Sequence, residues 1–134
     1  MKIVLDVNIY ISSFFWGGNP KAIIERIIFG ADELFISKDI LNEIECVVNR
    51  PKFHAEKDMI NYFLSSIEDI GNIITPLDVI KNGSRDKKDN KYLECAIAAN
   101  AEFVISGDIH LLELKKFGKI NIVSAKEYLD LVNR

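Results

Sequence analysis

Short apolar runs, several of them β-branched, recur at Ile3 to Leu5, Leu34 to Ile36, Ile73 to Thr75, Phe103 to Ile105 and Ile120 to Val123. Stretches of helical periodicity separate them, and that alternation predicts an α/β domain built on a central parallel sheet. The periodic segments place helices at about Pro20 to Phe29, Ser37 to Asn49, Glu56 to Asp69, Asn90 to Asn100, Ile109 to Lys116 and Ala125 to Val132. Gly30, Gly71, Gly107 and Gly118 punctuate them. The one long polar segment, Asp78 to Asp89, carries Asn82-Gly83 and reads as a surface loop leading into the Asn90 helix.

A chain of 134 residues is long enough for one sizeable core and short for two, so a single domain over residues 1–134 is expected, folding alone or as a small oligomer. The formal net charge of -3 matters if the partner is nucleic acid, because the basic excess that usually binds phosphates is missing. Bound cations or a local basic patch would have to supply it. No segment has the apolar length needed to cross a bilayer and the first residues show no cleavage pattern, so the expected compartment is the cytoplasm. Cys46 and Cys95 have no nearby Cys or His at ligand spacing, and His54 and His110 are the only histidines, which argues against zinc or a disulfide framework.

Against that background four acids stand out. Asp6 ends the first apolar run and Asp108 ends the fourth, so both are expected at the carboxyl edge of the sheet, where ligands of open α/β folds bind. Ser106 and Gly107 precede Asp108, the glycine permitting a sharp turn and the serine offering a hydroxyl. Glu43 lies about 60° around its helix from Ile40, at the margin of the apolar stripe, whereas Glu45 lies about 140° away and should be solvated. Asp89 shares the inward face of Leu93 and Ala96; Asp86 is an outer acid or the true cap, and Glu94 points more to the side. Each has a plainer explanation: Asp6, Asn8, Asp89 and Asp108 as helix caps, Glu43 as a boundary residue. Gathered without lysine or arginine partners, however, carboxylates repel and hold their protons unless a hard divalent cation takes up the charge.

These segments together resemble the PIN domain family, and within it the VapC-like nucleases that are toxin components of toxin–antitoxin pairs. The resemblance rests on Ile3-Val4-Leu5-Asp6-Val7-Asn8, on Ile40-Leu41-Asn42-Glu43-Ile44 followed by Arg50-Pro51-Lys52-Phe53, on Asp86-Lys87-Lys88-Asp89-Asn90-Lys91-Tyr92-Leu93-Glu94-Cys95-Ala96, and on Ala101-Glu102-Phe103-Val104-Ile105-Ser106-Gly107-Asp108 with Leu111-Leu112. Ser106 stands where many relatives have threonine. The resemblance implies a three-layer α/β/α fold with strand order 3-2-1-4-5. It implies Asp6, Glu43, Asp89 and Asp108 as catalytic, metal-binding acids for Mg2+ or Mn2+, with Asn8, Asp86 and Ser106 in support. It also implies hydrolysis of RNA, a cognate antitoxin and a homodimer.

Arg50, Lys52, Lys87 and Lys88 are candidates for tracking an RNA backbone, although each equally suits an ordinary solvated charge. Phe14-Phe15-Trp16-Gly17-Gly18 is an apolar cluster open to two roles, core filling or part of a partner surface. Two rivals remain beside the nuclease. A haloacid-dehalogenase-like phosphatase also places Asp at the end of its first strand, but this chain has Asn8 where that family has a second aspartate. A non-catalytic PIN-like module would hold RNA or protein without cutting, its acids serving as caps and solvated charges.

Overall fold

The computed structural model describes residues 1–77, 80, 83 and 87–133. In chain order its elements are β1 (Lys2–Leu5), α1 (Val7–Phe15), α2 (Gly18–Ile28), β2 (Glu33–Ile36), α3 (Lys38–Val48), a 3-10 turn (Pro51–Phe53), α4 (Lys57–Ile70), β3 (Gly71–Ile73), a second 3-10 turn (Lys87–Asp89), α5 (Asn90–Ala99), β4 (Phe103–Ile105), α6 (Ile109–Leu112), β5 (Lys116–Phe117), β6 (Ile120–Val123) and α7 (Ala125–Val132). The strands form one sheet in the order β3-β2-β1-β4-β6-β5. All pairs are parallel except β5 with β6.

Burial explains why β1 is an unbroken apolar run. Ile3, Val4 and Leu5 are fully buried, and because successive strand side chains point to opposite faces, both faces of the sheet must be covered there. α5 packs against β1, β2 and β4, contributing Tyr92, Leu93, Cys95, Ala96 and Ala99 to the core. α3 contributes Ile40, Ile44, Val47 and Val48, spaced at i, i+4, i+7 and i+8 as one stripe of a helix. Each such aliphatic side chain removed from water stabilises the fold by about 1.5–3 kcal/mol.

Four elements differ from what the sequence predicts. The segment after Asp6 is a helix, α1, which the periodic segments leave out although Asp6 and Asn8 read as possible caps; Val7, Ile9, Tyr10 and Ile11 are all buried, and only Asn8 and the Ser12-Ser13 pair mark its outer side. The third strand lies at Gly71–Ile73 rather than Ile73 to Thr75, its register fixed by pairing with Leu34, Phe35 and Ile36. The Ile109 helix ends at Leu112 instead of Lys116, because Lys115 turns into the left-handed region (φ 60) and Lys116 and Phe117 pair with Asn121 and Ile120. That pairing adds a two-residue antiparallel edge strand beyond the predicted parallel order, which otherwise holds. Most of the predicted loop from Asp78 to Asp89, Asp86 and Asn82 included, lies outside the described residues.

Candidate functional site

Register brings the two strand-end acids together. β1 and β4 pair in parallel with Leu5 opposite Ile105, and the ladder continues one step as the Asp6 amide donates to the Ile105 carbonyl at 3.0 Å. Asp6 and Ser106 therefore emerge side by side at the carboxyl edge. The Ser106 hydroxyl donates to Asp6 Oδ2, and the Gly107 amide donates to the same oxygen at 3.2 Å. The Asp108 amide in turn donates to Ser106 Oγ at 2.9 Å. Gly107 is not required for this turn, since its φ lies outside the left-handed region and an added Cβ would meet nothing within 4 Å.

Capping and site-building coexist in these residues. Asp6 Oδ1 accepts the Ile9 amide at 3.1 Å and caps α1, and Asp108 Oδ1 accepts the His110 amide at 2.7 Å and caps α6. Asp108 is half-buried, while Asp6 is only 2 % exposed. Burial pushes the Asp6 carboxyl above its ordinary value of 3.8, and the bonds from Ser106, Ile9 and Gly107 offset that only in part. No lysine or arginine bonds to Asp6 among the described residues.

Glu43 arrives from α3 through two residues of α5. The Tyr92 hydroxyl donates to Glu43 Oε1 and accepts the Val7 amide at 3.1 Å, so one buried phenol ties the first turn of α1 to the α3 carboxylate. Burial, the Glu43 bond and the charges of Glu43 and Asp6 push the Tyr92 phenol well above its ordinary value of 10.0, which keeps it a donor. Lys91 Nζ donates to Glu43 Oε2 at 2.7 Å. Glu45 is exposed, as its helical phase predicts. Asp89 is buried at the end of the second 3-10 turn and makes no side-chain capping bond to α5.

The remaining candidates scatter. Asn8 is exposed in the first turn of α1, and Asp86 lies outside the described residues. Arg50, Lys52, Lys87 and Lys88 are exposed, Lys52 with its Nζ 5.0 Å from the Phe53 ring centroid. The aromatic cluster divides between its two roles: Phe14 and Phe15 pack on the core, whereas Trp16 is 70 % exposed. Glu94 lines a cavity of about 450 Å³ with Ser37, Asp39 and Lys91, and burial together with the Asp39 charge raises its carboxyl.

Lys91 and Tyr92 are the residues that sequence reasoning passed over. The signal was present for Tyr92, because a tyrosine on the buried face of a helix needs a partner for its hydroxyl. For Lys91 there was none, since its partner comes from a different helix.

The side chains that strand register and the Tyr92 bridge bring to this edge are oxygen donors, the carboxylates of Asp6, Glu43 and Asp108 and the Ser106 hydroxyl, while Asp89 is buried at the start of α5. Such a set suits a hard divalent cation. One observation agrees with that chemistry: the buried Asp6 carboxyl has no cationic partner among the described residues. Glu43 departs from the expectation of acids without lysine partners, since a lysine ammonium already stands on it. The side chains would have to close further on an ion, because among the described residues no three His, Cys, Asp or Glu groups are gathered tightly enough to share one.

The fold has a solved counterpart in a chain of the VapBC2 complex from Rickettsia felis bound to a DNA fragment from their promoter, with a TM-score of 0.61 at 16% identity, covering 91% of this chain and 97% of that one. No curated protein matches the chain. The PIN domain family model matches residues 2–110, a stretch that contains Asp6, Glu43, Tyr92, Ser106 and Asp108, and the chain belongs to the PIN domain family.

Proposed function

We propose that this chain is a metal-dependent endoribonuclease, carried on a single PIN domain, that hydrolyses phosphodiester bonds in single-stranded or structured RNA and serves as the toxin of a toxin–antitoxin pair. The observation that carries the reading is Asp6, a buried carboxylate at the end of the central strand, held by Ser106 and Gly107 rather than by a cation. Family membership and the VapBC2 fold likeness support it.

In this reading Asp6, Glu43, Asp89 and Asp108 hold Mg2+ or Mn2+, with Asn8, Asp86 and Ser106 in support. An ion bound by these residues would supply charge neutralisation at the scissile phosphate and lower the pKa of the attacking water. The chain's own residues fix the geometry. Ser106 and Gly107 orient Asp6 from one side while the Ile9 amide holds it from the other. Tyr92 fixes Glu43 relative to the start of α1, and the His110 amide fixes Asp108. These bonds limit how far the carboxylates have to move as they close on an ion. Arg50, Lys52, Lys87 and Lys88 track the RNA backbone, and cleavage leaves a 5′-phosphate and a 3′-hydroxyl.

The test is Mg2+- or Mn2+-dependent cleavage of single-stranded RNA by the purified chain. Asp6→Asn or Asp108→Asn should abolish it with the fold intact by circular dichroism; undiminished cleavage by either variant overturns the assignment. The lysine on Glu43 favours one second reading, a binding module that does not cut, and calorimetry that finds no divalent-ion site would support it. Co-purification with the product of a small neighbouring gene for a DNA-binding protein would test the antitoxin, and light scattering the homodimer.

A further inference from the structure

Lys91 occupies an unusual position for a cation. It is the second residue of α5, at the helix end whose unpaired amides carry partial positive charge, where lysine is electrostatically disfavoured. Yet its side chain is only 18% exposed, and its ammonium is fixed by two short bonds. One goes to Glu43 Oε2 at 2.7 Å and the other to the Lys88 carbonyl at 2.6 Å. The ammonium also lies 5.1 Å from the Tyr92 ring centroid. What outweighs the helix field is the carboxylate of Glu43, itself only 28% exposed.

Both oxygens of Glu43 are thereby engaged. The Tyr92 phenol on Oε1 is anchored by the Val7 amide and has no freedom to leave. Lys91, on a flexible four-carbon stem, does. Taking the metal-dependent reading above as its premise, we infer that Lys91 is an internal counter-cation for Glu43, competing with the divalent ion for Oε2 and so setting the ion concentration at which the site loads. Lys91 is a positioning residue in this scheme. Its place on Glu43 also compensates the charge of that half-buried carboxylate before an ion arrives.

The measurement is Mn2+ binding to the full chain by isothermal titration calorimetry, without RNA. Lys91→Met keeps the apolar stem and removes the competitor, so the ion should bind about fivefold more tightly or better. Lys91→Arg keeps the charge and grips the carboxylate with a bidentate fork, and should bind the ion no more tightly than the wild type. Lys38→Met removes an equal charge from an exposed position on the same helix as Glu43, and should shift affinity by less than about twofold. Unchanged or weaker binding by Lys91→Met overturns the inference, as does an equal gain in Lys38→Met, which would reduce the effect to bulk charge. If the wild type binds Mn2+ and Asp6→Asn loses it, the metal reading stands whichever way Lys91 falls. If neither wild type nor Lys91→Met binds the ion, both fall together.

Discussion

Replacing Tyr92 with phenylalanine tests how the site is built into the fold. The substitution leaves the buried ring in place and removes one oxygen, which serves two partners. The first is the Val7 amide, a buried donor at 3.1 Å. Val7 is the first residue of α1, and amides in the first turn of a helix have no carbonyl within the helix to bond. Its hydrogen bond therefore has no internal replacement, and leaving it unmade costs about 1–3 kcal/mol. The second partner is Glu43 Oε1. That carboxylate is more than a quarter exposed, so water takes over much of the lost bond and the loss falls below the usual range for a charged acceptor, to about 1 kcal/mol. Together the expected destabilisation is about 2–4 kcal/mol.

Urea unfolding at pH 7 followed by circular dichroism measures this directly. The midpoint should fall with the slope unchanged, since the surface exposed on unfolding is the same. The melting temperature should drop by roughly 7–14 °C for a chain of this size. Because the phenol remains protonated across the usable pH range, the loss should be nearly constant from pH 6 to pH 9. A Tyr92→Phe protein within about 0.5 kcal/mol of wild type would refute the reasoning, because it would mean that the Val7 amide was not dependent on this oxygen.

Two further predictions concern the buried aspartates. Asp32→Asn should destabilise by about 2–3 kcal/mol, below the full cost of breaking a buried pair because Arg26 retains some access to water. Burial opposes the Asp32 charge, but Arg26 and Tyr128 more than offset it and hold the carboxyl below its ordinary 3.8. Its contribution is thus present above pH 3.8 and lost as pH falls through the lowered folded value, so the gap between wild type and variant should be flat from pH 7 to 5 and close in stronger acid. Asp6→Asn should do the reverse. A carboxyl raised by burial costs stability whenever it is charged, so the variant should unfold at higher urea at pH 7. That advantage should shrink as pH falls through the raised folded value and vanish below 3.8; a variant less stable than wild type at pH 7 contradicts the sign.

The parts of the fold legible in the sequence are those where burial imposes its own pattern. Ile3 to Leu5 and Phe103 to Ile105 read as strands because a strand covered on both faces is apolar throughout. Ser124 and Glu127 form a capping box that starts α7 at the expected residue. α1 was hard to read because Val7 to Ile11 is apolar and buried apart from Asn8 and rich in β-branched residues, which leaves a thin polar side and little helical propensity to detect. Gly71 and Asn72 are poor strand formers, and only the register with β2 makes them one. At the site, helical phase separated Glu43 from Glu45, but the contacts that hold Glu43 depend on how α3 and α5 pack. No spacing within either segment encodes the meeting of Glu43 with Lys91 and Tyr92.

The two buried aspartates separate structural from functional acidity. Asp32 directly precedes β2, at the amino edge of the sheet, with Arg26 at 2.8 Å, the Tyr128 hydroxyl at 2.7 Å and the Met1 ammonium at 3.5 Å. Asp6 directly follows β1, at the carboxyl edge, and its hydrogen-bond partners are all neutral. Both are closed off from solvent, but Asp6 is the more deeply enclosed and has only neutral partners, so burial raises it, whereas Arg26 and Tyr128 outweigh a milder burial and lower Asp32. A fold selected only for stability would pair both or replace the unpaired one with a neutral residue of similar size. Keeping Asp6 charged among neutral donors has a cost in stability, and an incoming cation would offset it at that edge and no other. The opposite signs expected for Asp6→Asn and Asp32→Asn follow from that difference. A variant at Asp6 that is both more stable and inactive would show that the cost is retained for the chemistry.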